Sequence, residues 1–373
     1  MRRSQLNMLE HSEAKIKLLS LYMDRYLNIL NQSKYVSDIF IYDMFCGEGI
    51  YKDGGKGSPI IFLEKIKNIH FRNKARDTKV GNFHCRFNDI DEKKIKKLHK
   101  IIEDQNLHYP EIGTLEISCM DYSVMLKKTI KELRKLKNDK AFAFIDPYGY
   151  KNVKAGDIKK LLETGKSEVL LFLPTQNMFR FEKKATPESL QKFISELVPP
   201  EDWPESETGL HFIETLVDEF RNYLGQSYFV DSFVLSRGRN QFFCLFFFTS
   251  HIRGFEKMLE AKWKIDEEEG RGWKKGMDRD LFSLHGKTAK TDKLRSSLKK
   301  YLMQSRSNGQ LYEFGLNQGF RPTHVTSILK ELQKNGLIDV HLEDGTDARK
   351  GSFYISYKHF KNNPEKIEVI KRR

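Results

Sequence analysis

The stretch Asp43-Met44-Phe45-Cys46-Gly47-Glu48-Gly49 closes a short apolar run, Asp38–Phe45, and predicts a β-strand that ends in a glycine turn. Glycine lets the backbone approach a ligand closely where a strand turns into the next segment. In open α/β sheets, ligands bind in the crevice at the carboxyl ends of the strands. We therefore expect a ligand site at this turn.

The glycine pattern narrows the class of ligand. A dinucleotide-binding turn would carry a third glycine where this chain has Lys52, and Gly55-Lys56-Gly57 lacks the serine or threonine of a phosphate-binding P-loop. A D-x-F-x-G-x-G turn instead suits S-adenosylmethionine, whose methionyl end has no phosphate to bind. The candidate cofactor residues at this turn are Asp43, Phe45, Gly47 and Gly49.

Two more acidic strand ends follow along the chain. Asn88-Asp89-Ile90-Asp91 comes after a second predicted strand, where a carboxylate can accept hydrogen bonds from both hydroxyls of a ribose. Either Asp89 or Asp91 would serve, and Asp91 is our preferred candidate. Asp121, after the third strand, would accept the adenine amino group. For each carboxylate alone, the competing explanation is a helix cap.

Strand-like and helix-like segments alternate through the first two thirds of the chain. The predicted strands are Asp38–Phe45, Asn82–Ile90, Thr114–Cys119, Ala141–Ile145 and Glu168–Leu173. Two longer apolar runs, Tyr228–Leu235 and Gln241–Thr249, flank a short turn and predict an antiparallel hairpin. The pattern therefore predicts an α/β fold with a doubly wound, mostly parallel seven-stranded sheet and an antiparallel edge element.

The fourth predicted strand ends at Asp146-Pro147-Tyr148. A carboxylate, a donor-free proline and an aromatic ring are typical of amino-methylating enzymes, in which oxygens hold the amine and the ring stacks on the base. Asp146, Pro147 and Tyr148 are therefore candidate catalytic residues, and a Pro/Gly turn is the alternative explanation.

These residues belong to an ordered set of short motifs between about residues 9 and 265. The set comprises His11-Ser12-x-x-Lys15, Tyr42-Asp43-x-Phe45-x-Gly47-x-Gly49, Gly57-Ser58-Pro59, Asp146-Pro147-x-Gly149-Tyr150, Glu168-Val169-Leu170 and Asn177-x-x-Arg180-Phe181. In this set the chain resembles the three-Cys-motif partner (TcmP) family of class I methyltransferase-like proteins.

The resemblance implies a Rossmann-like class I methyltransferase fold, an S-adenosylmethionine site and a partner protein that bears a three-cysteine motif. The chain departs from the D/N/S-P-P-aromatic tetrad of amino-methyltransferases, because Tyr148 stands where the second proline would be. Methylation of a nucleobase amine is therefore one alternative. A ribose 2′-O reaction is the other, with Lys15 and Asp146 as charged partners near the hydroxyl.

The composition changes after about residue 264. Asp266–Lys290 is charged and contains glycine, and three helical patterns and a hairpin, Leu337–Leu342 with Ser352–Tyr357, follow it. They predict a winged helix-turn-helix. We expect a methyltransferase-like domain over residues 1–264, a charged linker over 265–290, and a winged-helix domain with a basic tail over 291–373.

The third helix of this module has a polar face opposite its apolar stripe, as a groove-reading helix requires. The candidate nucleic-acid contacts are Thr323, His324, Thr326, Ser327 and Lys330 on the helix and Arg349 and Lys350 in the wing. Winged helices also mediate protein contacts, so this interpretation rests on analogy between folds.

The composition agrees with a phosphate-rich partner. Lys and Arg number 65 against 51 Asp and Glu, a formal charge of +14, which favours DNA or RNA. The four cysteines are scattered, which predicts a reducing cytoplasm and no metal site. The longest apolar runs are too short for a membrane helix.

Together these patterns predict a cytoplasmic, S-adenosylmethionine-dependent methyltransferase that engages nucleic acid through its winged helix. One alternative is an inactive methyltransferase-like adaptor that works with the three-cysteine-motif protein. Another is a winged-helix regulator that senses a nucleotide-like ligand.

Overall fold

The computed structural model of the chain describes residues 8–147, 153–182, 188–199, 202, 206, 208–238, 241–277 and 288–372, with backbone only at 177, 180–182 and 188–191. These residues form two units, one of residues up to 251 with 272–277, the other of 252–271 with 288–372.

The first unit contains one large sheet. Its strands are β1 Asp38–Asp43, β2 Asn82–Asn88, β3 Leu115–Ser118, β4 Lys140–Ile145, β5 Ser167–Leu173, β6 Phe229–Gly238, β7 Gln241–Thr249 and β8 Gly272–Lys274. Its helices are α1 Glu10–Asn31, α2 Ser58–Ala75, α3 Glu92–Asp104, α4 Tyr122–Leu133, α5 Ala155–Leu162, α6 Thr175–Glu182, α7 Glu188–Ser195 and α8 Gly209–Leu224, with a 3₁₀ turn at Pro110–Ile112.

The strand order is β3-β2-β1-β4-β5-β7-β6-β8. Strands β1–β5 are parallel, β7 pairs antiparallel with both β5 and β6, and β8 pairs parallel with β6. The predicted class I methyltransferase sheet and its antiparallel hairpin are thereby confirmed. The antiparallel strand, β7, lies inside the sheet rather than at its edge.

Helices cover both faces of this sheet. On one face, Phe62 of α2 packs edge-on against Phe142 of β4 at 6.2 Å between ring centroids. On the opposite face, Phe220 of α8 packs edge-on against Phe248 of β7 at 4.9 Å. Because the central strands are buried on both faces, they read as continuous apolar runs rather than as alternating ones.

Among the described residues the sheet has eight strands, whereas the sequence predicts seven. The additional strand, β8, lies within the segment predicted as a charged linker and pairs with β6 through Val234 and Gly272. Trp273 at its centre is only 3% exposed. One buried aromatic side chain thus anchors a segment whose charged, glycine-containing composition is typical of a loop.

The second unit contains the predicted winged helix-turn-helix. Its helices are α9 Ile252–Ile265, α10 Asp292–Tyr301, α11 Asn308–Asn317, α12 Pro322–Lys334 and α13 Tyr357–Asn362, and its strands are β9 Arg306–Ser307, β10 Ile338–Leu342 and β11 Ile367–Lys371. The apolar stripe of α12 is buried, including Val325, Ile328 and Leu332. The three predicted helices are confirmed as α10, α11 and α12.

The predicted second strand of the wing, Ser352–Tyr357, is wrong. Phe353 and Ile355 are buried and so produce a strand-like alternation, but Tyr354 between them has a φ of 52°. A left-handed residue cannot continue an extended strand. The antiparallel partner of β10 is β11 instead, inside the predicted basic tail, and β9 completes a three-stranded sheet.

Helix α1 is fixed to the first sheet by a buried polar contact. Glu168, near the start of β5, accepts hydrogen bonds from the Tyr22 hydroxyl of α1 and, at 2.9 Å, from the Thr249 hydroxyl of β7. Burial raises the pKa of Glu168 to about 7, although both donors oppose the shift. Glu168, the first residue of the motif Glu168-Val169-Leu170, therefore has a structural role.

Replacing Tyr22 by Phe should destabilise the first unit in a pH-dependent manner. Removing a donor from a buried carboxylate costs about 2 kcal/mol when the carboxylate is ionised and about 1 kcal/mol when it is protonated. The pKa of Glu168 is higher in the folded state than in the unfolded state. The contribution of Glu168 to the free energy of unfolding is therefore complete below the unfolded-state pKa and is lost as the pH rises through about 7. We expect a larger drop in Tm at about pH 8 than at about pH 5.5.

The matched control is Tyr26→Phe, since the Tyr26 hydroxyl is equally buried and has no hydrogen-bond partner within the described ranges. Its Tm should be unchanged or slightly raised at both pH values. Equal losses for the two variants, or a larger Tyr22→Phe loss at acid pH, would contradict the anchoring role.

Candidate functional site

The carboxyl ends of β1, β2 and β4 each carry an aspartate, and the three strands are neighbours in the sheet. Asp43 is the last residue of β1, Asp89 comes directly after β2, and Asp146 comes directly after β4. The chain leaves β1 toward β2 on one side and reaches β4 on the other, so the order of the strands reverses here. Such a reversal opens the crevice in which α/β sheets bind ligands.

Backbone hydrogen bonds fix the turn after β1 on both sides. The Met44 N–H donates to the Phe144 carbonyl at 3.0 Å, and the Cys46 N–H donates to the Asn88 carbonyl at 2.8 Å. The next amide, that of Gly47, donates to Asp89 Oδ2 at 3.1 Å. The turn is therefore held by both neighbouring strands before any ligand binds.

Each of the two glycines of the turn is favoured at its position for a different physical reason. Both have positive φ, 65° at Gly47 and 84° at Gly49, where a side chain would be strained. A Cβ at Gly49 would also lie 2.7 Å from Leu98 Cδ1, whereas a Cβ at Gly47 would meet nothing within 4 Å. Gly49 thus serves packing, and Gly47 leaves open space beside the backbone.

Asn88 is a residue of this site that the sequence interpretation missed. It is 1% exposed, its Nδ2 donates to the Met120 carbonyl at 3.0 Å, and its Oδ1 accepts from the Met120 N–H at 3.2 Å. It therefore ties the ends of β2 and β3 together. The sequence signal for Asn88 was its place directly before Asp89 in the motif Asn88-Asp89-Ile90-Asp91.

Asp89 and Asp91 have different surroundings. Asp89 is 6% exposed, and its oxygens accept from the Gly47 N–H and, at 2.9 Å, from the Asp91 N–H. Asp91 is the N-cap of α3 and accepts from the Lys93 N–H at 2.9 Å. The geometry favours Asp89 rather than Asp91 as the carboxylate that faces the glycine turn.

Asp121 is the N-cap of α4. Its side chain is exposed and accepts from the Ser123 N–H at 2.8 Å, and hydrogen bonds from Ser123 hold the pKa of its carboxyl below the usual range. Phe45 is half-buried and stacks on Tyr122 at 5.1 Å between ring centroids. The helix-cap explanation therefore accounts for the position of Asp121.

Asp43 is fully buried and incompletely hydrogen-bonded. Oδ1 accepts a 3.3 Å hydrogen bond from the Phe45 N–H, but Oδ2 has no partner among the described residues. Burial raises the pKa of Asp43 to about 7, and the carboxylates of Asp146 and Asp89 add to the rise. The Ser58 hydroxyl and the Phe45 N–H act in the opposite direction. A buried, unpaired carboxylate oxygen is costly unless a donor or a cation meets it.

Lys15 and Asp146 form an ion pair at the same edge of the sheet. Lys15 Nζ contacts Asp146 Oδ2, and the exposed fractions of the two side chains are 8% and 22%. The same ammonium lies 4.5 Å from the ring centroid of Phe172, near the end of β5. Pro147 is buried, and Tyr148 lies outside the described residues.

Three further residues near this pair, His11, Ser12 and Tyr51, were not predicted as site residues. His11 stacks on Phe243 at 4.6 Å, and burial together with Lys15 lowers the pKa of the imidazole to about 4. Burial raises the pKa of the Tyr51 hydroxyl, which interacts with Asp146 and Ser12. The motif His11-Ser12-x-x-Lys15 contained the signal for two of these residues.

The predicted contact residues of α12 separate into exposed and buried ones. Thr323, Ser327 and Lys330 are exposed, and Thr326 is half-buried with its hydroxyl donating to the Pro322 carbonyl at 2.9 Å. These four lie on the polar face that the sequence predicts.

His324 is not on that face. It is 7% exposed and packs edge-on against Trp263 of α9 at 4.3 Å between ring centroids. Burial and the neighbouring Arg321 lower the pKa of its imidazole to about 4. The helical pattern placed His324 on the outer face of α12. Helix α9 covers this residue instead, and the pattern did not assign α9 to this module.

The wing lies beside α12. Arg349 and Lys350 are exposed, and the next residue, Gly351, donates its N–H to Gln333 Oε1 at 2.8 Å. A Cβ at Gly351 would lie 3.6 Å from Lys330 Cε, so the stem of Lys330 runs along the wing. The basic groups of helix and wing therefore form one surface.

In the part of the chain that the structure describes, no cluster of three or more His, Cys, Asp or Glu side chains has the arrangement of a metal site. None of the helices there combines the length and apolar character that a membrane crossing needs.

One family model matches part of the chain. Residues 264–345 match the family model described as a GMT-like wHTH domain, a winged helix-turn-helix. No curated protein matches the chain.

Among solved structures, the chain is similar to the methyltransferase domain of bacterial CtHen1, with 11% identity, coverage of 62% of this chain and 98% of that one, and a TM-score of 0.31. It is also similar to an O-methyltransferase from Bacillus cereus in complex with SAH, with 11% identity, coverage of 66% and 91%, and a TM-score of 0.34. By its own strand order the first unit has a class I methyltransferase fold, and the second unit contains a winged helix-turn-helix.

Proposed function

We propose that the protein is an S-adenosylmethionine-dependent methyltransferase that acts on an amine or a ribose hydroxyl of nucleic acid. The observation that carries this proposal is Asp43, a fully buried carboxylate with an unpaired oxygen at the glycine turn of the fold. A cationic ligand group at that position would offset the cost of burying the charge.

The residues present fit this cofactor. Asp43 would hold the ammonium of the methionyl end, Gly47 would let the backbone approach it, and Asp89 would accept the ribose hydroxyls. Asp121 and Phe45, at the neighbouring strand ends, are the remaining candidates for contact with the adenosine part. When bound, S-adenosylmethionine supplies a methyl group on a positively charged sulfur.

Asp146 is the candidate for orienting the methyl acceptor. It follows β4, beside Asp43 of β1, so an acceptor held by its carboxylate would lie next to the cofactor end of the crevice. Pro147 offers no N–H that would compete for the carboxylate. Because the reaction is an in-line displacement, orientation of this kind accounts for much of the rate.

The winged-helix unit supports nucleic acid as the substrate class. The exposed face of α12 carries Thr323, Ser327 and Lys330, and Arg349 and Lys350 extend it into the wing. Hydroxyl groups suit base edges and phosphates, and the cations suit phosphates. With a formal charge of +14, the chain also has the electrostatic character of a nucleic-acid binder.

The adaptor and the three-cysteine-motif partner stay predictions from the resemblance. An adaptor would need nucleic-acid binding but no transfer of methyl groups, so a direct transfer assay separates it from the enzyme. The assay should therefore be run on the chain alone and with a three-cysteine-motif protein added.

Transfer of labelled methyl from S-adenosylmethionine to pools of DNA, RNA and protein tests the proposed reaction. We expect wild type to label nucleic acid and Asp146→Asn to lose at least about a hundredfold of that rate, since it keeps the shape but removes the charge that orients the acceptor. Asp104→Asn, at an exposed position at the end of α3, is the control and should behave like wild type. Label on protein alone, or a rate indifferent to Asp146, would refute the proposal.

The salt dependence of binding tests the role of the winged helix. Each phosphate contact that is removed should reduce the slope of log K against log salt by about 0.9 for duplex DNA. We expect Lys330→Ala and Arg349→Ala each to flatten the slope by about one unit, measured by fluorescence anisotropy on one duplex. Lys361→Ala, an exposed lysine of α13, is the control. Unchanged slopes in the first two variants would rule out this surface.

A further inference from the structure

The end of strand β6 carries an arginine on a β-bulge. The register of β6 against β7 shifts between Ser236 and Gly238, which leaves Arg237 as one extra residue on β6. The Ser236 hydroxyl donates to the Gly238 carbonyl at 3.2 Å across this bulge. A bulge redirects the side chain that it carries and often lies next to an active site. The half-buried side chain of Arg237 is therefore placed by a specific irregularity of the backbone.

Two lysines lie beside the bulge, at the end of β8. Lys274 is in register with Ser236, and the Lys275 N–H donates to the Ser236 carbonyl at 2.9 Å. The buried Trp273 directly before them anchors the strand, and both lysine side chains are exposed. Arg237, Lys274 and Lys275 thus form one cluster of cations, which we call the β6–β8 basic edge.

Helix α1 begins beside this basic edge. Lys275 Nζ lies 3.4 Å from Oε2 of Glu10, the first residue of α1. Both side chains of this ion pair are about half exposed, and exposed ion pairs contribute little to stability, so Lys275 can exchange Glu10 for another anion. Burial, Lys15 and Arg237 all lower the pKa of the His11 imidazole, which places the charge of Arg237 within reach of the next residue of the helix.

A stack of three rings connects the basic edge with the candidate acceptor site. His11 stacks on Phe243 at 4.6 Å between ring centroids, and Phe243 stacks on Phe172 at 5.6 Å. The Lys15 ammonium lies over Phe172 and contacts the Asp146 carboxylate. A series of neighbouring side chains therefore runs from the basic edge to the candidate acceptor residue, all of it within the first unit.

The chemistry of the basic edge suits phosphate. Lysine on an edge strand also prevents pairing with other chains, which would explain Lys274 and Lys275. It does not explain Arg237, since β6 lies between β7 and β8 inside the sheet. A guanidinium can bind a phosphate through two parallel hydrogen bonds, and lysines add point charges. A nucleic-acid strand carries one phosphate per nucleotide, so an acceptor nucleotide always brings phosphates with it.

We propose that the β6–β8 basic edge binds the sugar–phosphate backbone beside the nucleotide that receives the methyl group. This inference rests on the proposed function and adds a phosphate-binding surface within the first unit to that of the winged helix. The edge holds the strand while Asp146 orients the acceptor. Backbone contacts of this kind position a nucleic acid without reading its sequence.

Methyl transfer by the full chain to random-sequence single-stranded DNA and RNA oligonucleotides, and to a protein pool, tests this surface. The test variant combines Arg237→Gln, Lys274→Gln and Lys275→Gln. We expect its KM for the oligonucleotide to rise at least about tenfold, because charge-assisted contacts to phosphates are lost. Its Kd for S-adenosylmethionine, measured by calorimetry, should equal that of wild type, since the cofactor residues are unchanged.

The salt dependence of oligonucleotide binding gives a second measure. Each lost phosphate contact to a single strand should flatten the slope of log K against log salt by about 0.7, which makes about two for the triple variant. Arg237→Lys alone keeps the charge and should keep the wild-type slope. The matched control combines Lys127→Gln, Lys131→Gln and Arg134→Gln, which remove the same charge from exposed positions on and after α4, and it should behave like wild type.

Two results would overturn this inference, and they differ in what they say about the proposed function. If wild type labels nucleic acid and the triple variant equals the control in KM and in salt slope, this inference fails alone and the proposed function stands. If wild type leaves nucleic acid unlabelled, even with label on protein, the proposed function fails and this inference with it.

Discussion

The carboxyl end of β1 is hydrogen-bonded on both sides, to β4 through Met44 and to β2 through Cys46. This double attachment holds the glycine turn in place and buries Asp43 beneath it. The strand order reverses at the same point, so the carboxyl ends of β2 and β4 bring Asp89 and Asp146 to the same crevice. The positions of Asp43, Asp89 and Asp146 depend on this arrangement.

Two buried carboxylates show how a structural acid differs from a candidate site acid. Burial raises the pKa of both Asp43 and Glu168 to about 7. Glu168 has hydroxyl donors on both oxygens, from Tyr22 and Thr249, and so completes its hydrogen bonds within the fold. Asp43 keeps one oxygen without a partner among the described residues. The difference lies in hydrogen-bond completion, which neither the sequence nor the pKa alone reveals.

The sequence predicted most of the fold because its signals were local. Continuous apolar runs predicted the parallel strands, and Gln241–Thr249 was predicted with its observed bounds. The errors arose where tertiary contacts override composition. Trp273 turns a charged segment into a strand, and Tyr354, with its left-handed backbone, prevents the predicted strand of the wing.

The candidate site was predictable to a similar degree. Acidic strand ends and the glycine turn identified the crevice, because these residues are adjacent to their strands in the chain. That Asp89 rather than Asp91 faces the glycine turn is visible only from the hydrogen bond to Gly47, and the burial of His324 only from its contact with α9. Contacts between distant segments decide both cases, and they leave no local pattern.

Calorimetric titration of the full chain with S-adenosylmethionine tests most directly whether the glycine turn is a cofactor site. Gly47→Ala should weaken binding by more than about tenfold, because a methyl group would fill the open space beside the turn. Gly165→Ala is the matched control, since Gly165 has a φ of 68° against 65° at Gly47 and equal open space. We predict wild-type affinity for Gly165→Ala. The absence of binding to wild type, or equal affinity for Gly47→Ala and Gly165→Ala, would contradict the account.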